Sequence, residues 1–441
     1  MLKIGLAQEI ITPAVGVGLA GYINKRPNEG MYDDLYVKTV IFQANDTFCG
    51  IVSLDHICPS NNFIEIVKEK IEEKLGVEFF QNLIICATHT HTGPEYRKTF
   101  EEMDEATLFS FHNMIDAVVR CVVKAKMNLL NGNIEVGSVY NNPYAFIRRY
   151  IMKDGNIVTN PGWCNPNIEK PESELDRTIG IIKINQNGRL AAIICNIANH
   201  GDTVGGSIVS ADWYGRFVQA IQYELGTSIP VLVLDDCSGN VNHFDVRQKI
   251  NQTSYDEAIR IGRGYAQIVL KALNQLEAIE VEQFTVKNTI VDIPHRKLTQ
   301  AELDEAQHVL DTVPDIPKEG DLESQDLANK VPAALRFFAQ KTLDCHKLST
   351  PSHSGRITTV RFNKDFAITT LPGEPFNGIA QRIRAKSPYK YNFIASLAQT
   401  QSCYVPDREC FARGGYEVQP HPNSAGVDAA DVLVEGALTT L

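Results

Sequence analysis

The sequence predicts an α/β fold: a mixed β-sheet core flanked by helices. Apolar runs of strand length alternate with amphipathic stretches of helical length over most of the 441 residues. Several apolar runs are continuous, as in strands that other elements cover on both faces. This alternation is typical of α/β proteins with a largely buried sheet.

The predicted elements follow in order along the chain. Strands are expected at residues 37–42, 50–54, 83–86, 190–197, 231–234, 356–362 and 366–371. Helices are expected at residues 63–75, 103–129, 213–225 and 255–273. The first helix is clear because Ile64, Val67, Ile71 and Leu75 recur at helical spacing.

Residues 296–345 differ from the rest of the chain. They are polar, contain Pro314, Pro317 and Pro332, and predict helices joined by loops. One interpretation is a solvated helical insertion, and the other is a lid or pocket wall over a functional site. No clear linker or internal repeat divides the chain, so residues 1–441 are expected to form a single domain.

Composition and charge exclude several classes of partner. The net charge is −11, whereas nucleic acids and anionic membranes attract basic surfaces, so no nucleic-acid partner is expected. The N-terminus lacks the apolar core of a secretion signal, and no run of about 18 apolar residues predicts a stable membrane anchor. The ten cysteines are scattered and form no C-x-x-C pair, which favours reduced thiols and a cytoplasmic protein.

A pair of histidines, His89 and His91, directly follows the predicted strand 83–86. Side chains two apart on a strand share a face, so both imidazoles are expected at the mouth of this strand, before a Gly-Pro turn ends it. Two imidazoles there form half of a zinc site, although such pairs also occur as ordinary histidines near a turn. Because neighbouring same-face side chains cannot easily reach one tetrahedral ion together, only one of them is expected to bind metal.

Two further candidate ligands also end apolar strands. His200 follows the strand 190–197, and Glu374 follows the strand 366–371 after a Pro-Gly turn. Functional sites in α/β proteins collect beyond the carboxyl ends of strands. Taken singly, His200 is typical of a hydrogen-bonded loop histidine, and Glu374 can simply favour a helix N-terminus. Together, two histidines and a carboxylate on three strand ends match a catalytic zinc set with an open coordination position.

These motifs resemble the neutral (non-lysosomal) ceramidase family in type and order. The resemblance rests on His-Thr-His-x-Gly-Pro, a strand-ending histidine, Pro-Gly-Glu and a Tyr-rich C-terminal stretch. The opening segment 11–22 and the Arg-Arg pair at 148–149 are similar as well. The match covers nearly the whole chain as a catalytic domain, and no counterpart of the family's C-terminal immunoglobulin-like domain is expected.

The resemblance implies a zinc site and its surroundings. It makes four residues the zinc ligands, one of them an unusual tyrosine: His89, His200, Glu374 and Tyr404. It places four more residues near the metal as catalytic groups: His91, Arg148, Arg149 and Tyr416. His91 would act beside the metal, as a proton carrier or a donor to the oxyanion.

One stretch departs from the family's pattern. Asn240 and Asn242 stand where the family has an aspartate and a serine. An asparagine cannot act as an acyl-accepting nucleophile of the usual kind, so metal-activated water is the expected nucleophile. Gly239, Asn240 and Asn242 are then expected to contact the substrate.

The sequence therefore predicts a zinc-dependent hydrolase of a carbon–nitrogen amide bond. The alternatives are a zinc-dependent esterase or acyl hydrolase with a small polar substrate, and a non-catalytic metal-bound binding protein. Zinc chemistry alone does not choose between an amide and an ester. The expected partner is a small-molecule amide or acyl substrate, because nothing in the chain resembles a membrane anchor.

Overall fold

The computed structural model describes residues 1–441 except 25, 98, 99, 321, 323, 348, 349, 400–402 and 423. The strands are, in chain order, β1 (Lys3–Ile10), β2 (Gly18–Leu19), β3 (Arg26–Pro27), β4 (Gly30–Met31), β5 (Tyr36–Ala44), β6 (Thr47–Leu54), β7 (Leu83–Ala87), β8 (Leu130–Tyr140), β9 (Phe146–Ile147), β10 (Arg149–Met152), β11 (Ile157–Thr159), β12 (Ile168–Pro171), β13 (Thr178–Gln186), β14 (Arg189–Ile197), β15 (Ile208–Val209), β16 (Val231–Asp235), β17 (Val241–Asn242), β18 (Glu277–Ile279), β19 (Thr285–Pro294), β20 (Ser352–Arg361), β21 (Phe366–Thr370), β22 (Glu374–Pro375), β23 (Tyr391–Ala395) and β24 (Tyr404–Val405). The helices are α1 (Asn61–Leu75), α2 (Val77–Gln81), α3 (Glu105–Met127), α4 (Asp212–Leu225), α5 (Tyr255–Ala272), α6 (Gln300–Thr312), α7 (Ser324–Ala328), α8 (Pro332–His346), α9 (Asn377–Lys386), α10 (Arg408–Arg413) and α11 (Ala429–Thr440). Short 3₁₀ turns occur at Phe100–Glu102 and Tyr416–Val418.

The larger sheet is mixed and has nine strands. Its order is β16-β14-β13-β8-β1-β5-β6-β7, and β18 also pairs with β8. The pairs at the two ends, β16 with β14 and β6 with β7, are parallel. The sheet curves so far that its two ends approach each other, since Ser53 Oγ on β6 donates to the carbonyl of Val233 on β16 at 2.9 Å. Twist accumulated over many strands makes such an approach possible.

A second sheet, in the order β19-β20-β21-β23, packs across one face of the larger sheet. The shared core between the sheets is formed by alternate strand residues, which point to the same face. It includes Phe42, Ile84, Ile182, Ile194 and Leu232 from the larger sheet and Val360, Phe366, Ile368 and Phe393 from the second. Burying these side chains excludes water from the centre of the molecule and supplies most of the driving force for folding.

Helices cover the outer faces of both sheets. Helices α1 and α3 pack on one part of the larger sheet, and α4 and α5 pack on another. Helices α9 and α11 cover the outer face of the second sheet. The result is a layered α/β fold, and it confirms the predicted fold class.

Helix α3 is long and apolar enough, by length and composition alone, to cross a membrane. The sequence analysis expected no membrane-spanning segment, because polar residues interrupt every apolar run before it reaches about 18 residues. The mean hydropathy of α3 is nevertheless as high as that of a membrane-spanning helix. Phe111, Ile115, Val118 and Val122 lie on one face of α3 and are buried in the core beside β1 and β5. The helix therefore has the position of a core helix within the α/β layers.

The predicted segment 296–345 contains three helices, α6, α7 and α8. Helix α6 begins with a capping box, in which Thr299 and Glu302 exchange side-chain and backbone hydrogen bonds. Helices α6 and α8 pack together, and α8 reaches the mouth of the site described below.

Candidate metal centre

Two strand ends of the larger sheet bring His89 and His200 together. His89 follows β7, and His200 follows β14. The two loops are joined by an isolated parallel bridge between Thr90 and Gly201. A Cβ atom at Gly201 would lie 2.6 Å from the carbonyl oxygen of His89, so this close approach requires glycine.

The histidine pair is not on a strand, which corrects the sequence prediction. Strand β7 ends at Ala87, and His89 has a φ of 75°, in the left-handed region. His89 and His91 therefore do not share a strand face, and strand geometry does not prevent both from binding one ion. Such strained backbone is found preferentially at functional sites.

Three donor atoms converge at one point. His89 Nε2 lies 3.0 Å from His200 Nε2 and 3.3 Å from Glu374 Oε2, and His200 Nε2 lies 3.6 Å from the same oxygen. Ligands of one tetrahedral zinc, at bonds of about 2.0–2.2 Å, lie roughly 3.3–3.6 Å apart. The spacing therefore fits a single metal ion.

The surroundings prepare both histidines to present Nε2. His89 Nδ1 lies 2.7 Å from the carbonyl oxygen of Ile57, and His200 Nδ1 lies 3.1 Å from that of Ser238. A carbonyl only accepts, so each Nδ1 carries a hydrogen and each Nε2 is turned toward the other two donors. Metal-binding histidines are oriented in this way.

Burial and charge set the protonation states of the donors. Burial, followed by the charge of Arg148, lowers the pKa of His200 well below its usual value, so the imidazole is neutral. Burial would raise the pKa of Glu374, but His89 and Arg148 lower it, so the carboxylate is ionised. Its Oε2 is buried and has no hydrogen-bond partner among the described residues. Neutral imidazoles and a carboxylate are the forms that bind metal.

Tyr404 is placed beside Glu374 by backbone pairing. Strands β22 and β24 are parallel, with Glu374 opposite Tyr404. The guanidinium carbon of Arg148 lies 5.2 Å from the centre of the Tyr404 ring. Burial raises the pKa of Tyr404 well above its usual value, although Arg148 opposes this. The phenol is thus near the other donors, and its role as fourth ligand stays a prediction.

His91 lies next to the three converging donors of His89, His200 and Glu374. Ligand atoms of His89, His91 and His200 all lie within 4.8 Å of one another, so these three histidines could bind a metal ion. The shorter spacing of 3.0–3.6 Å among His89, His200 and Glu374 fits a shared ion better. His91 Nε2 is buried and has no partner among the described residues. Burial, then the charge of His89, lowers the pKa of His91 to about 3.

The two arginines have different positions. Arg148 lines the cavity, donates from Nε to Glu417 Oε1 at 2.9 Å and contacts the carbonyl of Gly239 at 2.8 Å. Arg149 is fully buried and is held by Glu172 and Glu417. Within the described residues, Arg148 is the arginine of this pair that faces the site.

The predicted substrate contacts also separate. Asn242 lines the cavity, and its amide contacts Asn160 Oδ1 at 3.2 Å and Asp202 Oδ2 at 3.4 Å. Asn240 instead accepts a hydrogen bond from the backbone of Asn377. A side chain at Gly239 would collide with the carbonyl oxygen of Glu374. Gly239 and Asn240 thus lie beneath the site and position the loops that form it.

The site opens into a cavity with two lobes. The larger lobe, about 550 Å³, is lined by His89, Glu374, Phe337, Phe338, Lys341 and His421, among others. The smaller lobe, about 210 Å³, is lined by Arg148, Asp202, Asn242, His243 and Gln325, among others. His91, Tyr404 and Tyr416 border both lobes, whereas His89 and Glu374 line the larger lobe, so the candidate metal centre opens into the larger lobe close to where the two meet. Phe337, Phe338 and Lys341 on helix α8 form part of one wall of the larger lobe.

Sequence reasoning missed two acidic residues of the site. Glu417 is fully buried and fixes both Arg148 and Arg149. Asp202 Oδ1 lies 3.0 Å from His243 Nδ1, while His243 Nε2 faces the carbonyl of Gln252 at 2.6 Å. Both partners only accept, so His243 donates from both nitrogens and is an imidazolium. Only the closeness of Asp202 to His200 along the chain could have drawn attention to this pair.

Among the comparisons with known proteins, the search of solved structures identifies the fold. A scan against models of protein families gives no match, and a search of curated proteins gives none either. The solved neutral ceramidase from Pseudomonas aeruginosa matches with a TM-score of 0.73 over 99% of this chain and 74% of that chain, at 17% identity. A ceramidase complexed with C2 matches with a TM-score of 0.69 over 98% and 74%, at 16% identity. The chain therefore has a neutral-ceramidase-like fold, as the sequence motifs predicted.

Proposed function

We propose that this protein is a zinc-dependent hydrolase that cleaves a carbon–nitrogen amide bond in an N-acyl or other small amide. The observation that carries the proposal is the convergence of His89 Nε2, His200 Nε2 and Glu374 Oε2, 3.0–3.6 Å apart beside the larger cavity lobe. The fold is shared with ceramidases, and the name of these enzymes denotes hydrolysis of ceramide, an amide; this supports the same class of reaction.

His89, His200, Glu374 and Tyr404 would hold the zinc ion. When bound, zinc supplies Lewis acidity and lowers the pKa of a water molecule to about 7. Two imidazoles and a carboxylate form one of the three-ligand sets of catalytic zinc sites, and Tyr404 would add a fourth protein ligand. A purely structural site would more often be built from cysteines.

The residues around the donors bind and orient the substrate. His91 Nε2, which is buried without a partner, would hydrogen-bond the attacking water or the carbonyl oxygen. Arg148, held in place by Glu417, would stabilise negative charge that develops on that oxygen. Tyr416 borders both lobes and would donate its phenol hydrogen, because burial keeps its pKa at about 12.

No hydroxyl of the 238–242 loop is free to act as the nucleophile. The Ser238 hydroxyl already donates a hydrogen bond from Oγ to Asp235 Oδ2 at 2.6 Å. The backbone carbonyl of the same residue accepts a hydrogen bond from His200 Nδ1. Asn242 carries an amide, which does not form an acyl intermediate of the usual kind. Both observations support water as the nucleophile. The proposal of a cytoplasmic enzyme that acts on a soluble amide rests instead on the ten scattered cysteines and the net charge of −11.

The test combines metal analysis with hydrolysis. Purified protein should contain about one zinc per chain by elemental analysis, as expected for one four-ligand site. A panel of N-acyl amines and the matching esters should then be tested. The rate enhancement over the uncatalysed reaction should be larger for the amides than for the esters. His200→Ala should lose both the metal and the activity. His346→Ala, at an exposed position on α8, is the matched control and should keep both.

Two results would contradict the proposal. One is a protein that contains no transition metal and gains no activity from added Zn²⁺. The other is an acyl group trapped covalently on the 238–242 loop, which would replace water by a protein nucleophile. Faster turnover of esters alone would favour the acyl-hydrolase alternative.

A further inference from the structure

The wall of the larger lobe contains a positive charge that the proposed chemistry does not use. Lys341 lies on helix α8, four residues after Phe337, so the two side chains share a helix face. Both line the larger lobe together with Phe338. Lys341 Nζ lies 5.4 Å from the centre of the Phe337 ring, a cation–π distance that keeps the amine at the cavity wall.

The other charges of the larger lobe are compensated. Arg97 donates hydrogen bonds to the Glu95 carboxylate from Nε at 2.9 Å and from Nη2. Glu374 is engaged with the two histidines. Among the residues that the structure describes, no carboxylate lies within ion-pair distance of Lys341 Nζ. Among the described residues that line the lobe, Lys341 is therefore a positive charge without an ion-pair partner, and the nearest negative charge on its helix is Asp344, one turn further along α8 and outside the lobe lining.

The position of Lys341 relative to the candidate metal centre is also defined. The Tyr404 and Tyr416 rings are 6.0 Å apart, and the Tyr416 and Phe338 rings are 5.8 Å apart. Lys341 lies three residues beyond Phe338, about 4.5 Å along the helix axis. A group bound by Lys341 would thus be several bonds away from a carbonyl placed at the metal centre.

We infer that Lys341 selects substrates that carry a carboxylate in the part of the molecule lying in the larger lobe; this rests on the proposed function. An ammonium attracts an anion without demanding a fixed orientation, which suits a flexible substrate. The apolar side chains of Phe337 and Phe338 accommodate the hydrocarbon between the two polar ends. The predicted substrates are therefore amides with a carboxylate, such as N-acyl amino acids or monoamides of dicarboxylic acids.

The test uses matched pairs of amides. An N-acylglycine is compared with the N-propyl amide of the same acyl group, and a dicarboxylic monoamide with the monoamide that ends in a methyl group. Wild-type protein should prefer the carboxylate in at least one pair by about tenfold in kcat/KM. Lys341→Met should remove that preference by raising KM for the carboxylate amide, and it should change kcat/KM for the matched neutral amide much less. Lys341→Arg should retain the preference.

The control is Lys347→Met, which removes a lysine at the end of the same helix that pairs with Asp344 and does not line the lobe. A second readout needs no hydrolysis: octanoate and octanol are titrated calorimetrically into the metal-free protein. Octanoate should bind wild type about tenfold more tightly than Lys341→Met, and octanol should bind both equally.

The outcomes separate the two proposals. Equal kcat/KM within both amide pairs, with octanoate binding unaffected by Lys341→Met, would overturn the role of Lys341 while leaving an amide hydrolase. Hydrolysis of no amide at all would overturn the proposed function, and weaker octanoate binding by Lys341→Met would still support the anion site.

Discussion

His89 and His91 are separated by one residue, yet their environments assign them different tasks. His89 has its Nδ1 fixed by the Ile57 carbonyl and its Nε2 within 3.3 Å of two other donors. His91 has a buried Nε2 without a partner among the described residues. His89→Ala should therefore lose zinc. His91→Ala should keep near-full zinc occupancy and lower kcat by about 10²-fold, the usual effect of losing an acid–base or oxyanion group.

Both variants can be measured by elemental analysis and steady-state kinetics on the same preparations. The converse pattern, with zinc lost only from His91→Ala, would reverse the assignment. Equal loss from both would make His91 a ligand and would remove Glu374 or Tyr404 from the set. The second result is physically possible, because the ligand atoms of the three histidines lie within 4.8 Å of one another.

The sequence could indicate His89, His200 and Glu374 because each follows an apolar strand closely. Tyr404 and Arg148 have no such local signal, and only the family resemblance pointed to them. Glu417 lies 269 positions from Arg148 along the chain, and no spacing rule connects residues so far apart. The left-handed φ of His89 had no signal in the sequence either, because left-handed backbone is uncommon for residues other than glycine.

At the scale of single elements, continuous apolar runs were the reliable signal. The predicted strand 37–42 lies within β5, and the predicted helix 63–75 lies within α1. The long strand β8 was not predicted, because its sequence is half exposed and contains Asn and Gly. Its neighbours in the sheet, β1 and β13, fix it as a strand by backbone pairing that sequence periodicity cannot reveal.

The start of helix α4 gives a pH-dependent prediction. Asp212 is fully buried there and accepts hydrogen bonds from the backbone nitrogens of Trp213 at 2.6 Å and Val204 at 2.8 Å. Burial raises the pKa of Asp212 to about 6 against these opposing hydrogen bonds. The folded protein therefore holds a proton between pH 3.8 and 6 that the unfolded chain releases. The contribution of Asp212 to stability should fall by roughly 3 kcal/mol over that range.

Urea unfolding of wild type and Asp212→Asn at pH 4, 5, 6 and 7 isolates this group. Asparagine cannot titrate, so only wild type should lose the contribution of this carboxyl as the pH rises. The free energy of unfolding of the variant minus that of wild type should therefore increase by up to about 3 kcal/mol from pH 4 to pH 7. Asp256→Asn, in the exposed first turn of α5, is the control for removing a carboxylate from a helix start. A difference between Asp212→Asn and wild type that does not change with pH would show that the Asp212 carboxyl is ionised throughout.

At the scale of the whole molecule, the candidate metal centre joins the two sheets. His89 and His200 follow strands of the larger sheet, whereas Glu374 follows β21 of the second sheet. The two sheets are also linked by Ser396, directly after β23, whose backbone nitrogen donates to the carbonyl of Asp235 at the end of β16 at 2.8 Å. A metal ion bound by all three residues would cross-link the layers in addition to their apolar packing and these hydrogen bonds.

Metal removal should therefore lower the thermal stability of the entire fold. A ligand that binds only the folded state, at a concentration one hundred times its Kd, stabilises by about 2.7 kcal/mol. With an unfolding entropy of about 2.1 cal/mol/K per residue, this corresponds to a Tm at least ~3 °C lower after chelation for a chain of this length. Calorimetry with and without EDTA measures it, and re-added Zn²⁺ should restore the original Tm. Glu374→Ala should show a much smaller difference between the two conditions, because the cross-link to the second sheet is missing. An unchanged Tm after verified removal of the metal would mean that the ion binds folded and unfolded chains alike, which a site assembled from two sheets cannot do.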